Sequence, residues 1–149
     1  MTSALALRSE VVATLLARLQ ARPELANVTV SPFWPGDEAG DQSLYVYEIS
    51  GELTIPTMKD GTLDVDDEWT INFQSRVVST DVVEAWARVG EIVGEVELVC
   101  REDTTLGQTD QSFAAVPRSS RSTGVEVKDG GATAFAEIVV DCMTWIREE

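Results

Sequence analysis

Residues 68–101, EWTINFQSRVVSTDVVEAWARVGEIVGEVELVCR, change their hydrophobic period in the middle, and that change decides the fold. Trp69, Ile71, Phe73, Ser75 and Val77 alternate with Thr70, Asn72, Gln74 and Arg76, the period of two that marks a half-buried strand. Ser79, Thr80 and Asp81 interrupt the alternation. Beyond them Val82, Trp86, Val89, Val93, Val96 and Cys100 recur at spacings of three and four, a helical stripe widened by Ala85, Ile92 and Val99. Asp81 stands at the N-cap position, with Glu84 three residues on as a capping-box partner. A strand therefore runs directly into a long amphipathic helix.

Upstream, Leu5, Leu7, Val11, Val12, Leu15, Leu16 and Leu19 predict a first helix, capped by Ser3, stopped by Pro23 and carrying Arg8, Arg18 and Gln20 opposite. Residues 28–33 read as a short strand and 37–42 as an acidic loop. Residues 44–55 read as a strand with Tyr45, Tyr47 and Ile49 on one face, a bulge at Gly51 and an end at Pro56. Residues 57–67 read as a polar loop that turns at Asp60-Gly61. Downstream, 102–110 is a polar connection, 111–116 a short strand, 117–124 a break and 125–127 a resumed strand. Asp129-Gly130-Gly131 is a hairpin signal, and 132–146 is the longest strand candidate. The predicted order is α-β-β-β-α-β-β. It defines one α+β domain over residues 1–149, a mostly antiparallel sheet of four to five strands packed by two helices.

The last strand is apolar on both faces. Ala134, Ala136, Ile138, Val140 and Cys142 occupy one, and Phe135, Val139, Met143 and Trp145 the other, interrupted by Glu137 and Asp141. Such a strand needs cover on both sides. Either the two helices lie on opposite sides of the sheet, or a second subunit supplies the missing layer.

Composition bounds the chemistry. With 26 acidic residues against 11 basic ones, the net charge is −15, spread along the chain. That balance opposes a surface built to grip nucleic-acid phosphates, which requires clustered Lys and Arg, and it repels DNA and anionic membranes. The chain has no His, which removes Ser-His-Asp and Cys-His catalysis and the usual zinc sets. Neither Cys100 nor Cys142 lies in a CxxC motif, and both fall at apolar positions, which predicts buried free thiols in a reducing compartment, with a pairing between the two as the alternative. The absence of a basic, apolar and cleavable leader pattern, and of any long apolar run, gives the expectation of a cytosolic product that does not enter membranes.

No phosphate-binding glycine loop or nucleophile elbow appears. Asp64, Asp66, Asp67 and Glu68 lack the spacing of a calcium loop, and Asp37, Glu38 and Asp41 read as a solvated acidic loop. No catalytic, cofactor-binding or metal residue is assigned, and the expectation is a protein that is not an enzyme. Residues 117–124 run against the overall charge: Arg118 and Arg121 among small hydroxylated residues suit an acidic partner surface or a phosphate, or simply an exposed hairpin. Gly90 and Gly94, four apart on the second helix, suggest close approach to the sheet or to a neighbour. Trp34, Trp69, Trp86 and Trp145 read as core or interface anchors.

The leucine-rich helix at 5–19, the strand at 45–53, the strand and helix at 68–77 and 82–99, and the closing strand at 132–142 together resemble the tail-terminator proteins of long-tailed bacteriophages. The likeness is one of pattern over nearly the whole chain. It implies a virion structural protein, made in the host cytoplasm and placed at the neck end of the tail. There a homo-oligomeric ring, usually hexameric, caps the head-proximal end of the tail tube and ends its polymerisation. The implied partners are the tail tube protein, the head-completion or connector protein, and DNA that passes through the bore without specific binding. Contacts between subunits are expected at Phe135, Val139, Met143 and Trp145 and on the second helix with Gly90 and Gly94, with Arg118 and Arg121 facing a neighbouring ring. The alternatives are another head–tail connector or tail-completion protein, a cellular α+β binding module, and a carboxylate enzyme.

Overall fold

The chain runs α1 (Ala4–Gln20), β1 (Thr29–Ser31), β2 (Gln42–Lys59), β3 (Thr62–Ser79), α2 (Val82–Glu102), β4 (Ser112–Lys128) and β5 (Gly131–Ile146), with 3-10 turns at Pro23–Leu25 and Gly36–Glu38. The computed structural model describes residues 3–59, 62–108, 112–128 and 130–146, without the side chains at 53–59, 62–64, 112, 121–123 and 128. The element order is the one expected from the sequence. The five strands form one sheet in the order β1-β2-β3-β5-β4, antiparallel except for the short β1–β2 pairing.

The strand-to-helix switch forms as its residues dictate. Trp69, Ile71, Phe73, Ser75 and Val77 are all buried, and the residues between them are less so. Asp81 caps α2 by accepting from the N–H groups of Val83 (2.9 Å) and Glu84 (3.2 Å). The Asp81 N–H donates to Ser79 Oγ, the role a capping box would give to Glu84. The buried face of α2 is Ala85, Val89, Ile92, Val93, Val96, Val99 and Cys100. Trp86 and Val82 leave the expected stripe: they sit one step around the helix, and Trp86 is 54% exposed. In α1, Ser3 Oγ accepts from the Ala6 N–H, and Leu5 likewise falls outside the buried face.

Both helices lie on the same side of the sheet. Leu7, Val11, Leu15 and Leu19 of α1 share one core with Val89, Ile92 and Val96 of α2 and with the inward residues of β3 and β5. Ala134 and Ala136 of β5 are fully or nearly fully buried in that core. Small side chains there let the helical layer approach closely. The arrangement with one helix on each side is therefore excluded. Among the described residues, no helix covers the Val139 side of β5.

Two expected breaks are strand. Residues 57–59 and 62–67 extend the β2–β3 hairpin instead of forming a loop; its turn at Asp60-Gly61 lies outside the described residues. Residues 117–124 continue β4, interrupted only by bulges between Pro117 and Ser119 and between Ser122 and Gly124. Bulges and proline are tolerated there because β4 is an edge strand. The bulges of β2 lie between Val46 and Glu48 and between Thr54 and Thr57, not at Gly51. The first of them splits the expected Tyr45–Tyr47–Ile49 face, leaving Tyr45 buried and the other two exposed. Gly51 pairs directly with Trp69, where a Cβ would overlap the Trp69 backbone and Cβ.

Candidate interaction surface

The alternation of β5 sorts its residues into two populations. Ala132 to Thr144 at even positions are buried beneath the helices, and Phe135, Val139, Met143 and Trp145 are half-buried on the open side. Strand register extends that side across the sheet. Ser50 of β2 pairs with Thr70, Thr70 with Asp141, and Asp141 with Val116 of β4. The neighbouring row is Glu48, Asn72, Val139 and Ser119. An open groove of about 650 Å³ runs over this face, with Val116, Met143 and Trp145 as its apolar lining and Glu68, Arg118 and Asp141 as its charges.

Arg118 occupies the bulged position of β4 and approaches Asp141 at 3.4 Å, an exposed pair of small energetic weight. Arg121 pairs in register with Glu137, and its side chain lies outside the described residues. Phe135, Val139, Met143, Trp145 and Arg118 thus share one surface. Gly90 and Gly94 do not. They lie on α2, in the layer on the other side of the sheet, and a Cβ added at either would meet nothing within 4 Å. Close approach to the protein's own sheet is not what admits glycine there.

At one corner the open face is covered by the segment before β2. Trp34 meets Tyr45 edge-on with ring centroids 5.0 Å apart, and the Arg76 guanidinium lies 5.5 Å from the Trp34 ring. Tyr45 also donates its hydroxyl to Gln74, and burial raises its pKa. Asp37 and Asp41 line the adjoining hollow with Arg76. Glu38 belongs to the same turn, which orders the acidic loop around glycines at positive φ (Gly36 at 62°, Gly40 at 65°).

The other acidic cluster is divided by strand alternation. Asp66 and Glu68 fall on the open face, whereas Asp67 points under α1 and is fully buried. Arg8 grips Asp67 through two hydrogen bonds, at 2.7 and 2.5 Å, while its guanidinium lies 5.6 Å from the Trp69 ring. Arg8 therefore does not belong to the solvent face of α1, as helical spacing suggested. The side chain of Asp64 lies outside the described residues. Among the described residues, no three His, Cys, Asp or Glu side chains are placed to hold a metal ion.

Cys100 and Cys142 are free and buried, and desolvation raises both thiols, Cys100 to about 11 and Cys142 further. The α2–β4 connection has its own anchor, Leu106, fully buried at φ 48°. Asp103 holds that turn by accepting from Thr105 Oγ1, Arg18, and the N–H groups of Thr105 and Gly107. The Thr105 hydroxyl first, and then Arg18, draw its carboxyl down to about 2.

The fold and surface define the class: a two-layer α+β protein with helices on one side of the sheet and a mixed apolar and acidic surface on the other. Compared with known proteins, the chain matches no family model and no curated sequence. Among the described residues, no helix is long and apolar enough to cross a membrane.

Proposed function

We propose that this chain is a structural component of a bacteriophage tail, a terminator that forms a ring on the head-proximal end of the tail tube. The observation that carries the proposal is the open face of β5. Phe135, Val139, Met143 and Trp145 line a side of the sheet that, among the described residues, neither helix covers. A sheet with one such side gains most from a neighbouring subunit. Strong negative charge supports the same reading, because like charge lets DNA slide through a bore without adhering.

The ring docks with one surface on the last ring of tube subunits, and its other surface accepts the connector of the filled head. Growth of the tube stops because the exposed surface of the terminator differs from that of the tube protein. The work is done by surfaces, and no bond is made or broken. The neck end of the virion is its place, reached after assembly in the host cytoplasm.

Electron microscopy of particles assembled without this protein tests the proposal. Tail tubes of uncontrolled length, unjoined to heads, are expected. Tails of normal length joined to filled heads would contradict it.

A further inference from the structure

We infer that Phe33 and Trp34 of one copy dock into the open-face groove of the next, so that the strap between β1 and β2 covers part of a neighbour's sheet. The inference names the occupant of that face, and rests on the terminator reading only for closure of the ring.

The strap is residues 32–41, PFWPGDEAGD, with two aromatic residues between two prolines and acids after them. Phe33 is 65% exposed and Trp34 46%, although aromatic side chains of this size gain most from burial. Both are nonetheless held in place. Pro32 and Pro35 restrict the backbone on either side. The Phe33 N–H donates to Ser31 Oγ at 3.3 Å, and Trp34 rests against Tyr45 and Arg76. At the far end Ala39 is buried, and the Val78 N–H donates to the Asp41 carbonyl at 2.8 Å. Exposed aromatic rings on a backbone already fixed lose little entropy on docking, which is the property of an interface anchor.

The groove offers what such an anchor needs. Val116, Met143 and Trp145 supply apolar surface, and its volume of about 650 Å³ is that of an ordinary binding cleft. The strap does not reach the groove of its own chain. Arg76, beneath Trp34, is separated on β3 from Thr70 and Glu68 in the groove by about 20–26 Å of strand. The apolar lining lies further still from β2, on β5 and β4.

Charge favours a second copy as the source of the strap. At a net charge of −15, two copies repel unless opposite charges meet where they touch. Asp37 and Glu38 stand exposed in the turn after Trp34, and Arg118 lines the groove with its side chain 58% exposed. The 3.4 Å pair of Arg118 with Asp141 is weak enough to yield to a better partner. Seating Phe33 beside Val116 brings Glu38 toward Arg118. Strap and groove occupy opposite corners of the open face, so copies repeat head to tail through two different surfaces. A closed rotational ring requires that relation.

A benzophenone side chain placed at residue 33 tests the docking. On irradiation of the full chain, adducts should join two copies and map to Val116, Met143 or Trp145. Phe33→Asp should leave circular dichroism unchanged and weaken association about tenfold or more. Arg118→Glu and Glu38→Arg should each weaken association as well, and the two reversals combined should restore it. The docking is overturned by adducts that miss the groove, by the absence of adducts between copies, or by reversals and a Phe33→Asp change without effect on association. A ring that forms with no adduct in the groove refutes the docking and leaves the terminator reading intact. Adducts in the groove, together with normal tails joined to heads in particles that lack the protein, refute the terminator reading and leave the docking standing.

Discussion

Val140 and Val139 are neighbours in one strand and face opposite sides of the sheet. Val140 is fully buried against the helical layer, whereas Val139 looks onto a side that no helix reaches. The same contrast runs the length of β5. Its inward residues are mostly small, and give α2 room to approach. Its outward residues are larger and mixed with Glu137 and Asp141, a composition closer to an interface than to a core. The inward face holds the fold together, and among the described residues no helix covers the outward one.

Breaking the inward face should have the largest effect. Val140→Asp places an unpaired charge in the core and is expected to cost more than about 4 kcal/mol, unfolding the chain by circular dichroism. A folded Val140→Asp variant would erase the distinction between the faces.

Arg8→Ala should come next. It strands the buried Asp67 carboxylate beneath α1, at a cost of about 3–5 kcal/mol in urea unfolding. The loss should appear as weaker docking of α1, without direct damage to the outward face.

The smallest effect is electrostatic. The pKa of Asp103 is lowered from 3.8 to about 2 in the folded protein. Its stabilising contribution is therefore complete above about pH 4 and disappears as pH falls through about 2. Asp103→Asn should flatten the dependence of stability on pH in that window, as read by urea unfolding at several pH values.

The legible part of this fold was local. Period-two residues from Trp69 to Val77, the Asp81 cap and the β4–β5 hairpin are encoded within a few residues of themselves, and they form as the sequence implies. Misreadings arose where a distant partner decides. Asp67 looked like loop because nothing nearby explains a buried acid; its partner Arg8 is on another element. Residues 117–124 looked like a break because proline and glycine forbid a central strand, yet an edge strand accommodates them through bulges. Trp86 was expected in the core on spacing alone, but the approach of the sheet favours Ala85 and Val89 beside it. Of the interface candidates, Phe135, Val139, Met143, Trp145 and Arg118 come together, because strand alternation and pairing put them on one face. Gly90 and Gly94 could not be placed without knowing that both helices share the opposite side.

Native mass spectrometry of the unaltered chain beside Val139→Asp tests the outward face most directly. The unaltered protein should appear as a closed ring, hexameric on the terminator reading, and Val139→Asp as a monomer whose circular dichroism is unchanged. An intact ring in the Val139→Asp variant would contradict the account.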